Sequence, residues 1–226
     1  MVKIFAHRGF ADKKDQQNTM SAIDNAYKTG FDGVEIDIHY LNDSLLMTHD
    51  PVPEEQEKNL DNFDQFLKYQ NKMLYWLDFK NLQDLDNTDL EQALMKVKLD
   101  IQNNNCNLDN FYFAPYITDY KVAQRIFNKI NEVFDHRARL VFVVDDIKKD
   151  QYQELSQFLR KMRIGNISIK HDLINEDFIS IFHDKNLFAW TVNEIAIANE
   201  LVIKYKIANF TTDNILPNQI KGIVND

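Results

Sequence analysis

Short runs of β-branched, aromatic and other apolar residues recur along the whole chain. They lie at 2–6 (VKIFA), 34–38 (VEIDI), 45–48 (LLMT), 73–79 (MLYWLDF), 111–114 (FYFA), 139–144 (RLVFVV), 167–170 (ISIK), 187–192 (LFAWTV) and 207–212 (IANFTT). Runs of that length and content, bounded by polar turns, read as strands. Between most of them the apolar residues fall at helical spacing. The segment 19–30 has small or apolar residues at 22, 23, 26 and 27 and closes on Gly30, a residue suited to the left-handed position after a helix. Further helical segments occupy 60–70, 89–102, 118–134, 149–162, 175–185 and 193–206. Asn175 and Asn193 stand where N-caps belong.

One strand differs from the rest. The gap between Ile38 and Leu45 is too short for a parallel crossover, which needs about a dozen residues or more. The run 45–48 is therefore expected to pair antiparallel through the polar turn 41–44. Eight strands remain, each followed by a helix. That pattern predicts a (β/α)8 TIM barrel with an extra antiparallel strand near 45–48. An open doubly wound sheet is the alternative. The five glycines supply neither GxGxxG nor a P-loop, so a phosphate site must be assembled from side chains on several elements. No linker or low-complexity stretch interrupts the chain. A single domain over 1–226 is expected, with 54–59 as a polar loop.

Composition adds limits. Hydrophobic residues make up 44% and charged residues 27% of the 226, enough apolar material for a large core. The net charge of −9 disfavours nucleic acid and anionic membranes as partners, but leaves room for a small phosphate-bearing substrate in a locally basic pocket. Cys106 is the only cysteine, which excludes an intrachain disulfide and a CxxC metal knuckle. The first apolar run is too short for a signal-peptide core, and no stretch is long and apolar enough for a membrane span. A cytoplasmic protein is expected, monomer or dimer.

In a barrel the chemistry sits at the C-terminal ends of the strands. His7 and Arg8 follow the first strand. Glu35 and Asp37 lie two apart on the second and share a face, while Val34, Ile36 and Ile38 take the other. Asp78 and Lys80 share a face at the end of the run 73–79. His49 closes the antiparallel strand, and Trp190 falls near the end of 187–192. Two inward carboxylates so close need a cation between them. With Asp78 they form a hard oxygen set that suits one divalent cation, Mg²⁺ or Ca²⁺. The two histidines titrate near neutrality and suit general acid and base, and Arg8 and Lys80 suit an anion. Together they describe metal-assisted displacement at a phosphodiester. Each piece also has a structural reading: a satisfied histidine, a solvent-facing E-x-D edge, a simple Asp-x-Lys ion pair, a core tryptophan. His39 shares the face of Glu35 and Asp37, with a structural role favoured. Asp145, Lys170 and His171 end two further strands.

At these residues the sequence resembles the glycerophosphodiester phosphodiesterase family. The matching segments are AHRGF (6–10), QNT (17–19), SAIDNAYKTGFDGVEIDIHYLND (21–43), THD (48–50), LDFK (77–80), AWTVNE (189–194) and FTTDNI (210–215). The resemblance implies a TIM barrel and hydrolysis of a glycerophosphodiester to glycerol 3-phosphate and an alcohol. It implies His7 and His49 as the catalytic pair and Glu35, Asp37 and Asp78 as metal ligands. Arg8, Lys80 and Trp190 would then contact the substrate. Three features depart from the family's pattern. Gln16-Gln17 stands where Pro-Glu usually precedes Asn-Thr, the third acid is Asp78 rather than Glu, and the segment 50–77 is short. The Asp-x-Lys pattern is similar to the sphingomyelinase D branch of the superfamily. An enzyme acting on lipid phosphodiesters therefore stays open, in the manner of lysophospholipase D or sphingomyelinase D. A catalytically inactive phosphoester-binding barrel also stays open. A sugar-phosphate isomerase or aldolase fits less well, having no need of both histidine motifs.

Overall fold

A computed structural model describes residues 2–11, 13–117 and 119–221. In chain order its elements are β1 (Lys3–His7), α1 (Met20–Thr29), β2 (Gly33–Leu41), β3 (Ser44–Met47), α2 (Glu54–Glu57), α3 (Phe63–Phe66) and β4 (Leu74–Phe79). They continue with α4 (Asn87–Asn103), β5 (Phe111–Pro115), α5 (Tyr120–Val133), β6 (Arg139–Val144), α6 (Tyr152–Met162) and β7 (Asn166–Lys170). The last are α7 (Glu176–Phe182), β8 (Asn186–Trp190), α8 (Ile195–Ile203), β9 (Asn209–Thr212) and α9 (Pro217–Lys221). Eight parallel strands run in the order β1-β9-β8-β7-β6-β5-β4-β2, and the β1–β2 pairing closes the ring. This is the (β/α)8 barrel that the alternation of runs predicts.

β3 is the extra strand. Residues Ile38–Leu41 of β2 pair antiparallel with Ser44–Met47. The turn between them holds Asn42 at φ 45° and Asp43 at φ 60°. Two left-handed residues in a two-residue loop match the right-handed twist of a hairpin, and Asn and Asp tolerate that conformation.

Alternation along the strands makes two cores. Val34, Ile36 and Ile38 of β2 join the large core between the barrel's outer face and the helices. Inside the barrel, Phe5, Trp76, Tyr112, Ala114, Val141 and Phe188 form a separate cluster. Phe5 stands edge-on to Trp76, Tyr112 and Phe188, with ring centroids 5.9, 6.1 and 5.9 Å away. Such packing places positive ring edges on negative faces. Gly33 makes room for it: a Cβ there would lie 2.6 Å from the Phe5 ring and 2.7 Å from the Leu74 carbonyl oxygen. At the opposite end from the strand C-termini, Asn209 donates to Asn186, and Asn186 to Asn166.

Thr19 caps α1 through the Ala22 amide and Gly30 ends it at φ 85°. Asn175 caps α7 through the Phe178 amide. Three local readings need correction. Asn193 does not cap α8, whose N-cap position is Glu194; its side chain is drawn instead to Thr212 and Asp213. The segment 60–70 is not one helix: α3 ends at Phe66, a 3-10 stretch follows from Leu67, and Gln70 kinks that stretch at φ 47°. The polar stretch 54–59 contains one helical turn, α2, with no buried residue. Among the described residues no helix is long and apolar enough to cross a membrane.

Candidate active site

The strand C-termini open into a cavity of about 770 Å³. His7, Arg8, Glu35, His49, Asp78, Lys80 and Trp190 all line it. Asp37 lies fully buried just behind them. The positions singled out on the sequence are therefore brought to one wall, with His49 and Trp190 on other sides of the same opening.

Backbone geometry sets that wall. Arg8 adopts φ 55°, an uncommon conformation for a side-chain-bearing residue, and its amide donates to Glu35 Oε2 at 2.9 Å. Gly9 follows at φ +78°, where a Cβ would stand 2.7 Å from that of Ala22. Only glycine admits this approach of α1 to the loop. The Arg8 side chain turns back, placing Nε 2.8 Å from Asp37 Oδ2. Lys80 reaches the same acid from the other side, with Nζ 2.8 Å from Oδ1, and also bonds Asp78 Oδ2.

Three carboxylates meet here. Glu35, Asp37 and Asp78 each offer an oxygen, all within 4.8 Å of one another. Burial pushes the Glu35 carboxyl up to about 7, reinforced by the charge of Asp37. Asp78 is raised by the same two causes, against the pull of Lys80. Asp37 goes the other way. Burial opposes its charge, but Lys80 and Arg8 outweigh that and hold it below the usual carboxylate range. The donors fit a divalent cation: they are hard oxygens, and Asp78 Oδ1 is buried with no hydrogen-bond partner. The shorter Asp at 78 still brings an oxygen into the group.

His7 is held from one side only. Its Nδ1 bonds Asp213 Oδ1 at 2.8 Å, and its Nε2 lies 3.9 Å from Glu35 Oε2. Burial disfavours the imidazolium, yet Asp213 and Glu35 together raise its pKa. Asp213 is in turn held low by His7 against its own desolvation. His49 is more exposed, and its Nδ1 bonds Asp50 Oδ1 at 2.8 Å. Both histidines thus spend Nδ1 on a carboxylate and leave Nε2 for the cavity.

Four site residues escape the sequence reading. Asp213 and Asn193 come from the last turns of the barrel, and Asn193 donates to Asp213 Oδ2 at 2.9 Å. Gln17 donates to the other oxygen, Oδ1, at 3.2 Å. The departure at Gln17 thus supplies a donor where a glutamate would bring like charge. Asn18 clamps Asp37, donating to Oδ2 at 2.7 Å and accepting from its amide at 3.0 Å. Their signals were the QNT, AWTVNE and TTD motifs, but nothing in the spacing says what those side chains touch. His39 is buried and bonds the Thr48 carbonyl at 2.9 Å, and burial lowers its pKa, so it is a neutral prop for the segment carrying His49.

Comparison with known proteins bears on the family and the fold. A model of the "Glycerophosphoryl diester phosphodiesterase family" matches residues 7–134, more than half of the chain. A Bacillus altitudinis protein named glycerophosphodiester phosphodiesterase is 45% identical over 51 residues, 22% of this chain and 20% of that protein. The aligned part is thus a small fraction of either. An Oleispira antarctica phosphodiesterase, solved in complex with its product sn-glycerol-3-phosphate, superposes with TM-score 0.73 at 15% identity. It covers 99% of this chain and 97% of its own. A glycerophosphodiester phosphodiesterase of Thermotoga maritima gives TM-score 0.70 at 15% identity, over 100% of this chain and 98% of its own. At such identities these two structures speak for the barrel.

Proposed function

Since the chain belongs to the glycerophosphoryl diester phosphodiesterase family, a family of phosphoric diester hydrolases, we propose that it hydrolyses glycerophosphodiesters to glycerol 3-phosphate and an alcohol. One observation carries this reading: three carboxylates, two of them buried, converge with two cations and an oriented histidine on one wall of an open cavity. Glu35, Asp37 and Asp78 would hold one divalent cation, Mg²⁺ or Ca²⁺. When bound there, that ion supplies Lewis acidity at a phosphoryl oxygen. Arg8 and Lys80 neutralise phosphate charge from either side of Asp37. Trp190 forms an apolar wall for the substrate.

His7 and His49 are the proton carriers of this reading. Each keeps Nδ1 on a carboxylate, which fixes the ring and directs Nε2 at the reacting atoms. One takes the proton from the attacking hydroxyl, either water or a neighbouring hydroxyl of the glycerol. The other gives a proton to the leaving alcohol.

The test is release of glycerol 3-phosphate from glycerophosphocholine with Mg²⁺ or Ca²⁺, then with EDTA. Release should depend on the metal and stop on chelation. His7→Ala and His49→Ala should each lower kcat by about 10²–10⁴-fold with the fold intact. Unaltered turnover in both variants overturns the assignment of the histidines. Metal binding without release would direct the search to lysophospholipids.

A further inference from the structure

The far wall of the cavity carries an opposite-charge pair that has not closed. β6 and β7 are in register through Val144 and Ile169. Asp145, the residue just past the end of β6, and Lys170, the last residue of β7, follow that pair, so they leave adjacent strands that lie about 4.8 Å apart. Lys and Asp on neighbouring strand ends are close enough to pair. Here each is held by an aromatic ring instead. The Tyr116 hydroxyl donates to Asp145 Oδ2 at 2.8 Å. Lys170 Nζ sits 5.5 Å from the centroid of the Trp190 ring, a cation–π contact. Among the described residues no ion pair joins the two. Both line the cavity that holds His7, Arg8 and Lys80.

This arrangement has no use in the carboxylate wall on β1, β2 and β4, and glycerol has no charge to offer it. A fixed cation beside a fixed anion matches a ligand carrying the reverse pair, an ammonium and a carboxylate on one carbon. The two uncharged partners keep the protein's own charges from cancelling each other first. Resting on the phosphodiesterase reading above, we propose that the β6–β7 side of the cavity receives a zwitterionic α-amino-acid alcohol. The preferred substrate is then a glycerophosphodiester of the glycerophosphoserine class. Lys170 takes the carboxylate and Asp145 the ammonium.

The experiment compares kcat/KM for glycerophosphoserine, glycerophosphoethanolamine and glycerophosphoglycerol on the wild type, Lys170→Met and Asp145→Asn. The wild type should prefer glycerophosphoserine over glycerophosphoglycerol by about 10-fold or more, the scale of one well-placed charge contact. Lys170→Met should lose most of that preference and leave the other two substrates within about 2-fold. Asp145→Asn should weaken both amine-bearing substrates and spare glycerophosphoglycerol. If glycerophosphoglycerol is cleaved but glycerophosphoserine has no advantage, the inference fails while the phosphodiesterase reading stands. If Lys170→Met lowers all three substrates alike, Lys170 serves the phosphate and the inference also fails. Calorimetric binding of glycerophosphoserine and glycerophosphoglycerol decides the matter without turnover. A preference present in the wild type and absent in Lys170→Met upholds the inference even if no diester is cleaved, and equal binding overturns it.

Discussion

Asp213 fixes His7, and its two oxygens are themselves fixed by Gln17 and Asn193. Asp213→Asn should therefore damage orientation rather than binding. We expect kcat to fall by about 10–10²-fold, with KM and melting temperature little changed. An unchanged kcat would mean that His7 needs no orienting partner. Gly33→Ala tests packing instead. Its Cβ would meet both a ring and a backbone oxygen, and only the ring can yield. A loss of about 1–3 kcal/mol in urea unfolding is expected, and an unchanged midpoint would show that the barrel relaxes there at no cost. The residues legible in the sequence were those whose chemistry is local: Glu35 with Asp37, Asp78 with Lys80, and the HRG turn. Asp213 lies 206 positions from His7. No periodicity links them, because the closing of the ring brings β9 beside β1. Asn193 illustrates the same point from the other side. It stands where a cap belongs, and a carboxylate from the neighbouring strand end claims it.

At the scale of elements, the hairpin of β2 and β3 carries the second histidine. The tail of β2 past the ring, the two-residue turn and the His39–Thr48 bond together set where His49 stands. The short gap between the strands made this hairpin legible. The turn after it was less so: the apolar spacing over 60–70 suited one helix, but α3 stops at Phe66 and the 3-10 stretch after it is kinked at Gln70. That broken segment is tied to α1 by Asp24, which accepts from the Tyr69 hydroxyl at 2.8 Å and pairs with Lys68 at 2.6 Å. Although desolvation works against its charge, Lys68 and Tyr69 hold the Asp24 carboxyl below its ordinary value. A lowered value stabilises the fold above the ordinary carboxylate pKa, and the gain is lost as pH falls through the folded one. The Asp24 side chain keeps 30% of its surface exposed, and solvent screening there limits the contribution to no more than about 1 kcal/mol. Asp24→Asn should flatten the acid side of a melting-temperature profile below about pH 4 and change little at neutrality. An identical acid slope in both proteins would remove the tie from the account.

For the whole molecule, the barrel interior divides by level. The aromatic cluster around Phe5 fills the lower part and the charged groups occupy the upper part. The eightfold alternation of strand and helix was legible because each unit repeats one local pattern. The boundary between filled and open levels was not, since it depends on which inward residues of different strands share a height. Phe5→Ala should cost about 3–5 kcal/mol, as a buried aromatic with several ring partners. A loss below about 1 kcal/mol in denaturant unfolding would mean that the cluster collapses to fill the gap.

The Phe5 cluster also governs traffic. It stoppers the barrel, so the cavity is a cul-de-sac, and whatever enters between the strand ends must leave by the same door.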